Sequence, residues 1–156
     1  MSQDDGPGAG PGPRSLTDDE LSRLLGEQRF GALATNKSSG YPHLSTVIYT
    51  WDPGQLVVRI STIADRLKVR QLHQDPSCAL YVASNDFGSY AVAEGAAELS
   101  PVSGEPGDEV GRELLAMQPR VDDEAAFLQQ MVADRRLVIR LRASRLYGTA
   151  LSVPAE

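Results

Sequence analysis

Three β-type segments follow one another in the first half of the chain, separated only by short turns. A polar turn at residues 36–40 separates segment 30–35 from segment 42–51, which is the pattern of a β-hairpin. A Pro-Gly turn at residues 52–54 leads into segment 55–61. Strands joined in this way form an antiparallel meander, so the parallel sheet of an alternating strand–helix fold is not expected.

Three more strands and four helices are predicted around this meander. The strands are predicted at residues 78–83, 90–99 and 137–142, with 145–148 continuing the last one after a break. The helices are predicted at residues 17–26, 65–74, 108–117 and 123–133, with Thr17 and Asp65 as N-cap residues. Gly95 predicts a bulge or a close backbone approach in the fifth strand. Six antiparallel strands with peripheral helices favour a closed or nearly closed barrel, because closure removes exposed strand edges.

The chain is predicted to form one domain between two tails. Its 156 residues are enough for a single core, and 41% of them are hydrophobic. Residues 1–14 are rich in Gly, Pro and Asp, which predicts a disordered tail. We therefore place the folded domain at residues 15–150 and a short C-terminal tail at residues 151–156.

Charge and cysteine content narrow the range of partners. A formal net charge of -6 and a sequence pI of about 4.9 argue against nucleic acid as a partner. No apolar run reaches the roughly 18 residues of a membrane span, so no membrane partner is expected. Residues 1–14 lack the apolar centre of a secretory signal, and Cys78 alone cannot form an internal disulfide. Both observations indicate the reducing cytoplasm.

One basic cluster stands out in this acidic chain. It contains Ser61, Thr62, Arg66 and Lys68, at the junction of the third strand and the second helix. The hydroxyls and cations could converge on one anion, because the first turn of a helix also directs unpaired N–H groups and positive dipole charge outward. A solvated basic helix face with Asp65 nearby is the alternative interpretation. The two hydroxyls immediately before the cations favour a phosphate site.

Side chains suited to catalysis by the protein itself are scarce. His43 and His73 are the only histidines, and neither lies in a nucleophile motif. His, Cys and carboxylate residues are not spaced as metal ligands, and a Gly-x-Gly-x-x-Gly dinucleotide fingerprint is absent. We therefore assign no catalytic residue and no metal, and expect a bound cofactor to carry the reaction.

With these features, the chain resembles the pyridoxamine 5′-phosphate oxidase-like superfamily of flavin-binding split barrels. The resemblance covers residues 17–149 and rests on the strand order and on these segments: Gly40-Tyr41-Pro42-His43, Ser61-Thr62-x-x-x-Arg66-x-Lys68, Asp75-Pro76, Gly95-Ala96-Ala97 and 140–148. The Arg-x-Lys spacing is most similar to that of the small actinobacterial-type enzymes that use the deazaflavin coenzyme F420. The resemblance implies a mainly β fold with peripheral helices, namely a six-stranded antiparallel split β-barrel. It also implies a homodimer with the cofactor at the subunit interface.

The resemblance further implies roles for individual residues. The residues implied to bind the cofactor are Val47, Arg59, Ser61, Thr62, Ala64, Arg66, Leu67 and Lys68. Arg66 and Lys68 would hold the phosphate, and the others would line the ribityl chain and the ring or approach the same cleft. Candidates to complete the site from the partner subunit are Tyr81, Asn85 and Tyr90.

The implied function is an F420-dependent oxidoreductase that passes a hydride to an unsaturated or carbonyl-conjugated small molecule. F420 carries a phosphodiester and an oligoglutamate tail, which would favour additional cations. Candidates for that role are Arg70, Arg135, Arg136, Arg140 and Arg142. Solvent or a tyrosine such as Tyr49 would supply the proton. The alternatives are an FMN-binding reductase or oxidase, for which Arg66 and Lys68 suffice, and a non-catalytic module that binds flavin or haem.

Overall fold

The computed structural model describes residues 12–151 and contains eight strands and four helices in that range. The strands are β1 (Arg14–Ser15), β2 (Phe30–Asn36), β3 (Pro42–Asp52), β4 (Val57–Ile63), β5 (Ser77–Ala83), β6 (Tyr90–Leu99), β7 (Arg136–Tyr147) and β8 (Thr149–Ala150). The helices are α1 (Asp18–Glu27), α2 (Leu67–Gln74), α3 (Glu109–Ala116) and α4 (Glu124–Ala133). No helix among these residues is long and apolar enough to cross a membrane.

Six of the strands form a closed antiparallel barrel in the order β2-β3-β4-β7-β6-β5. This confirms the predicted fold class, including the meander of β2, β3 and β4. Closure depends on two pairings between strands that are not consecutive along the chain, β2 with β5 and β4 with β7. The second of these brings the start of β7 beside the end of β4, where the basic cluster lies.

The barrel is filled by the inward-facing side chains of alternate strand positions. Leu33, Val58, Leu80 and Ile139 are fully buried there. Helix α1 adds its apolar face to the same core, with Leu21, Leu24 and Leu25 among its members. The amphipathic spacing that predicts α1 from sequence is therefore used to cover the barrel.

Three of the four helices begin with a polar side-chain cap, and the cap predicted at Thr17 is among them. Thr17 and Glu20 form a capping box at α1, in which the Thr17 hydroxyl accepts from the Glu20 amide at 3.2 Å. Asp108 and Asp123 accept from the amides of the first turns of α3 and α4. Helix α2 differs from the prediction, because it begins at Leu67 with Arg66 as its N-cap residue and not with Asp65.

Three further details qualify the sequence-based boundaries. Arg14, assigned to a disordered tail, lies in β1 and pairs with Ala150 of β8. The rest of the predicted tails, residues 1–11 and 152–156, lies outside the described residues. Strand β7 continues without the predicted break. The predicted irregularity at Gly95 is confirmed: the register with β7 shifts there, and a Cβ would collide with the Arg142 carbonyl.

Helices α3 and α4 pack together against the outside of the barrel at β7. A second, smaller core holds them there, and Val110, Leu114, Met131 and Val138 are its buried members. Together, α3 and α4 form a helical hairpin, the α3–α4 hairpin, which is a wall beside the outer surface of β3, β4 and β7. The candidate site lies against this wall.

Candidate functional site

A cavity of about 310 Å³ lies on the outer surface of the barrel at the junction of β4 and α2. It is lined by Thr46, Val47, Ile48, Ile60, Ser61, Thr62, Ile63, Arg66, Lys68 and Arg136. Five of the eight residues predicted to bind a cofactor thus line one cavity. Strand β3 supplies one side of it, the end of β4 forms its base, and the start of α2 supplies two cations.

The start of α2 is left open for an anion. Its N-cap residue, Arg66, has extended backbone angles (φ -66°, ψ 147°) and makes no side-chain capping hydrogen bond. The first turn also contains no acidic residue. The first amides of a helix need acceptors from outside the helix, and its dipole favours negative charge at this end. A bound anion would meet both requirements.

Lys68 is held in surroundings that disfavour its charge. Partial burial, and secondly the neighbouring Arg66 guanidinium, lower the pKa of the Lys68 ammonium below its ordinary value. Nearby like charge and desolvation both act against the protonated form. An anion in the cavity would reverse this effect, because it would compensate both cations.

Arg136 adds a third cation, brought by the pairing of β4 with β7. It is the first residue of β7 and lies opposite Ile63 in the register. Its Nη1 atom is 3.5 Å from the Ser61 hydroxyl, and its Nε atom lies 3.6 Å from a carboxylate oxygen of Asp134. The Nε atom is buried and has no hydrogen-bond partner among residues 12–151. A buried donor without an acceptor is costly, so this guanidinium is suited to an incoming anion.

A buried polar cluster fixes α2 on the barrel. The Gln71 side-chain oxygen accepts from the Thr35 hydroxyl at 2.6 Å and lies 2.9 Å from Nδ1 of His43. Since this oxygen can only accept, Nδ1 of His43 carries the proton. The cluster joins α2 to β2 and β3, and so determines where Arg66 and Lys68 lie.

A larger cavity of about 650 Å³ continues from the first one. The two share Ile48, Ser61 and Arg136 as lining residues. The larger one extends along β3 to Trp51 and is walled by the α3–α4 hairpin, including Phe127. Together they form a continuous trough on the outer surface of the barrel, with its cations at the α2 end.

A family model described as pyridoxamine 5′-phosphate oxidase matches residues 17–150. The chain belongs to the pyridoxamine 5′-phosphate oxidase family. The match spans all six strands of the barrel and all four helices. The resemblance that the sequence motifs indicated is therefore confirmed.

Solved structures with the same fold carry several different descriptions. One described as an F420 reductase is 22% identical, with a TM-score of 0.62, over 83% of this chain and 98% of that one. An FAD-binding protein from Mesorhizobium loti is 19% identical, with a TM-score of 0.65, over 90% and 99%. A heme-binding protein from Mycobacterium smegmatis is 22% identical, with a TM-score of 0.61, over 85% and 54%. At these identities the likeness shows the fold alone.

The trough of this family member fits a phosphate-bearing cofactor. Three cations and three hydroxyls line the smaller cavity, and no carboxylate is among its lining residues within residues 12–151. The buried Arg136 Nε has no hydrogen-bond acceptor in the part of the chain that the structure describes. The same part of the chain contains no group of three or more His, Cys, Asp or Glu residues placed to hold a metal ion.

Three residues predicted for cofactor binding do not line this cavity. Arg59 is turned to α3, where its Nε donates to Glu113 at 3.0 Å and its Nη1 lies 3.5 Å from Asp52. Ala64 packs against the barrel core, and Leu67 is exposed at the first turn of α2. Because side chains alternate along β4, Arg59 lies on the same face as Ser61, but it is two residues further along the strand from the cations. Arg59 therefore joins β4 to α3 through Glu113, and its role in cofactor binding stays a prediction.

The tyrosine suggested as a proton donor, Tyr49, lines the larger cavity, but its hydroxyl is bonded within the fold. The Tyr49 hydroxyl is buried and donates to the Leu25 carbonyl at 2.6 Å. Burial raises the pKa of this hydroxyl far above its ordinary value. Tyr49 therefore holds α1 against β3 and has no hydroxyl directed to the trough.

The residues suggested for the partner subunit lie together at the far end of β5 and β6. Tyr81 and Tyr90 stack with ring centroids 5.3 Å apart. Asn85 accepts from the side chain of Gln28, which itself lines the larger cavity. This group lies near the end of the trough opposite the cations.

Proposed function

We propose that this protein is an oxidoreductase that uses the deazaflavin coenzyme F420. The observation that carries the proposal is the convergence of Arg66 and Lys68, with Arg136 beside them, on one trough that no described carboxylate lines. In a chain of net charge -6, such a concentration of positive charge is suited to an anionic ligand. Family membership makes a flavin-type phosphate the appropriate anion.

The roles of the individual residues follow from their positions. Arg66 and Lys68 bind the phosphate, supported by the open amides at the start of α2. Ser61 and Thr62 donate hydrogen bonds beside it. Residues of β3 with Val47 provide the surface along which the ribityl chain and the ring lie. When bound, the reduced cofactor would supply a hydride, which carries two electrons, to an electrophilic carbon of the substrate, and solvent would supply the balancing proton.

Two exposed cations next to the phosphate position favour F420 over FMN. Arg70 lies one helical turn after Arg66, so both side chains project from one face of α2. The Arg135 carbonyl accepts from the Ala64 amide at 3.0 Å, which places the α4–β7 turn beside the same junction. An oligoglutamate tail leaving the phosphate would pass these cations. FMN ends in its phosphate and has no group to reach them.

We further propose that the protein is a homodimer in which a second copy covers the trough. The outer surface of β2, β3 and β5 exposes large apolar side chains, with 60% of Phe30, 65% of Leu44 and 55% of Ile48 accessible. Contiguous apolar surface of this kind marks a contact surface. Ile48 belongs both to this surface and to the trough.

Phe30→Glu should give a monomer with weakened cofactor binding, because it places a charge in the apolar contact surface. Sedimentation measures the oligomeric state, and titration measures cofactor binding. A dimer that persists unchanged would contradict this arrangement.

The proposed function is tested by titrating the purified apo-protein with F420 and with FMN. We expect F420 to bind with a Kd in the micromolar range or below, and FMN to bind more weakly. Arg70→Ala should weaken the binding of F420 and leave that of FMN unchanged, because only F420 has a tail. Arg112→Ala, at an exposed position of α3 outside the trough, is the charge-matched control. Tight binding of FMN with no binding of F420 would refute the proposal.

A further inference from the structure

The larger cavity of the trough has a lining that the cofactor phosphate does not account for. Arg29 and Arg136 line it, and no Asp or Glu does among the described residues. Much of the remaining lining is apolar and includes Ile48, Trp51 and Phe127. Its volume of about 650 Å³ is typical of a small-molecule site. A positively charged end and an apolar wall are the features of a site for an apolar molecule with an anionic group.

Arg136 is the residue that connects the two cavities. Arg66 and Lys68 line only the smaller cavity, whereas Arg136 lines both. The charge of a cofactor phosphodiester is already matched by Arg66 and Lys68. Arg136 is therefore available to a second anion that lies directly beside the cofactor.

The groups that face Arg136 among residues 12–151 leave the hydrogen-bond donors of its guanidinium incompletely paired. Asp134 approaches Nε only to 3.6 Å, and its other oxygen already accepts from Gln130 at 2.7 Å. The Ser61 hydroxyl lies 3.5 Å from Nη1, which is a long contact. The buried Nε atom has no hydrogen-bond partner among residues 12–151. A ligand carboxylate would supply acceptors with the fork geometry that a guanidinium binds best.

We propose that the larger cavity binds the substrate, and that the substrate is an apolar carboxylate whose carboxylate group pairs with Arg136. The reducible double bond of such a substrate is conjugated to the carboxylate, so that the acceptor carbon lies near the boundary shared by the two cavities. The wall around Trp51 and Phe127 receives the apolar remainder. This inference rests on the proposed function for the reaction, but the anion site itself can be measured without turnover.

The single tryptophan of the chain gives a direct signal for this site. Trp51 lines the larger cavity, and its indole N–H donates to the Ser22 hydroxyl at 3.0 Å. A ligand that enters the cavity changes the surroundings of this one indole. Intrinsic fluorescence therefore reports binding in the apo-protein and in the F420-loaded protein alike.

The test compares trans-2-octenoate with trans-2-octenamide, which has nearly the same shape but no charge. We expect the carboxylate to bind about tenfold tighter or more, the usual effect of a charge-assisted hydrogen bond. Arg136→Gln should abolish this preference, Arg136→Lys should retain part of it, and Arg112→Gln should leave it unchanged. Equal binding of the two probes, no binding of octenoate, or an unchanged preference in Arg136→Gln would overturn the inference.

Failure of this inference is distinguishable from failure of the proposed function. If Arg136→Gln weakens F420 binding but leaves octenoate binding unchanged, Arg136 serves the cofactor phosphate, and only the substrate inference is overturned. If octenoate binds through Arg136 while F420 does not bind, the anion site is supported and the cofactor assignment fails.

Discussion

Two sets of cations lie on the same outer face of the barrel, and they differ in what neutralises them. Near the middle of β4 and β7, Arg59 and Arg140 share the carboxylate of Glu113. At the end of the same strands, Arg66, Lys68 and Arg136 line a cavity to which no described carboxylate contributes. The first set is paired within the fold by short ion pairs, whereas in the second set the only ion pair among residues 12–151 is the longer one of 3.6 Å between Arg136 and Asp134. Charge type alone does not distinguish the two sets, but the position of acidic partners does.

The set around Glu113 is tightly bonded. The Arg140 guanidinium donates to both carboxylate oxygens of Glu113, at 2.5 and 2.8 Å, and also to Glu98 at 2.7 Å. Both side chains of the Arg140–Glu113 pair are less than one-fifth exposed. These contacts raise the pKa of Arg140 and, with burial acting in the opposite direction, lower the pKa of Glu113. They attach α3, and with it the wall of the trough, to the barrel.

The largest effect on stability should come from Glu113→Ala. It leaves Arg59 and Arg140 partly buried without their shared acceptor, so the free energy of unfolding should fall by about 2–3 kcal/mol. Urea unfolding measures this loss. Glu109→Ala, on the same helix but exposed, should have a much smaller effect. Equal losses in the two variants would show that Glu113 does not join the hairpin to the barrel.

The cavity cations should behave in the opposite way. Lys68→Ala and Arg66→Ala should each weaken cofactor binding by about 1.5–3 kcal/mol, since each removes a charge-assisted hydrogen bond to the phosphate. Neither should destabilise the apo-protein, because these cations form no ion pair within residues 12–151 and the Arg66 charge acts against that of Lys68. Cofactor titration and urea unfolding of the same variants measure both quantities. A loss of stability without a loss of affinity would assign Arg66 and Lys68 to the fold.

Much of the fold could be predicted because its signals are local. The strands of the barrel and the caps at Thr17, Asp108 and Asp123 depend on residues within one turn or one hairpin. The start of α2 could not be predicted to the residue. Asp65 is the better capping residue by type, but the helix begins at Leu67 and leaves its first turn uncapped. The preference for Asp at the N-cap therefore fails to predict the helix start at the point where an anion is proposed to bind.

The candidate site was predictable only where it is contiguous in sequence. Ser61, Thr62, Arg66 and Lys68 lie within one junction, so the sequence predicts them together. The sequence does not predict Arg136 as part of this cluster, because it is 75 residues from Ser61 and reaches it through the pairing of β4 with β7. The role of Arg59 could not be foreseen for the same reason. Its partner Glu113 lies on a helix whose docking position the sequence does not determine locally.

The pH dependence of stability should also separate the two sets. The hydrogen bond from Arg140, opposed by burial and aided by Arg59, lowers the pKa of Glu113 in the folded protein. A carboxyl with a lowered folded-state pKa stabilises the fold above its unfolded value, about 4.3, and this stabilisation is lost as pH falls through the folded value.

Glu113→Gln has no carboxylate to protonate at this position. The difference in unfolding free energy between the wild type and Glu113→Gln should therefore be largest at neutral pH and shrink as the pH falls below about 4. Urea unfolding at a series of pH values measures this difference. A gap that stays constant down to the lowest pH would mean that the ionised carboxylate is not what stabilises the attachment of α3.

The smallest effect is expected at Arg142, which has the same charge as Arg140 and lies two residues further along β7. It pairs with Glu98 at 3.3 Å, but both side chains are at least half exposed. Solvent screens such a pair, and two long side chains lose conformational freedom in forming it. Arg142→Ala should therefore shift the melting temperature by less than about 2 °C and leave cofactor binding unchanged. A shift as large as that of Glu113→Ala would show that charge density along β7, and not the buried acceptor on α3, separates the structural cations from those of the trough.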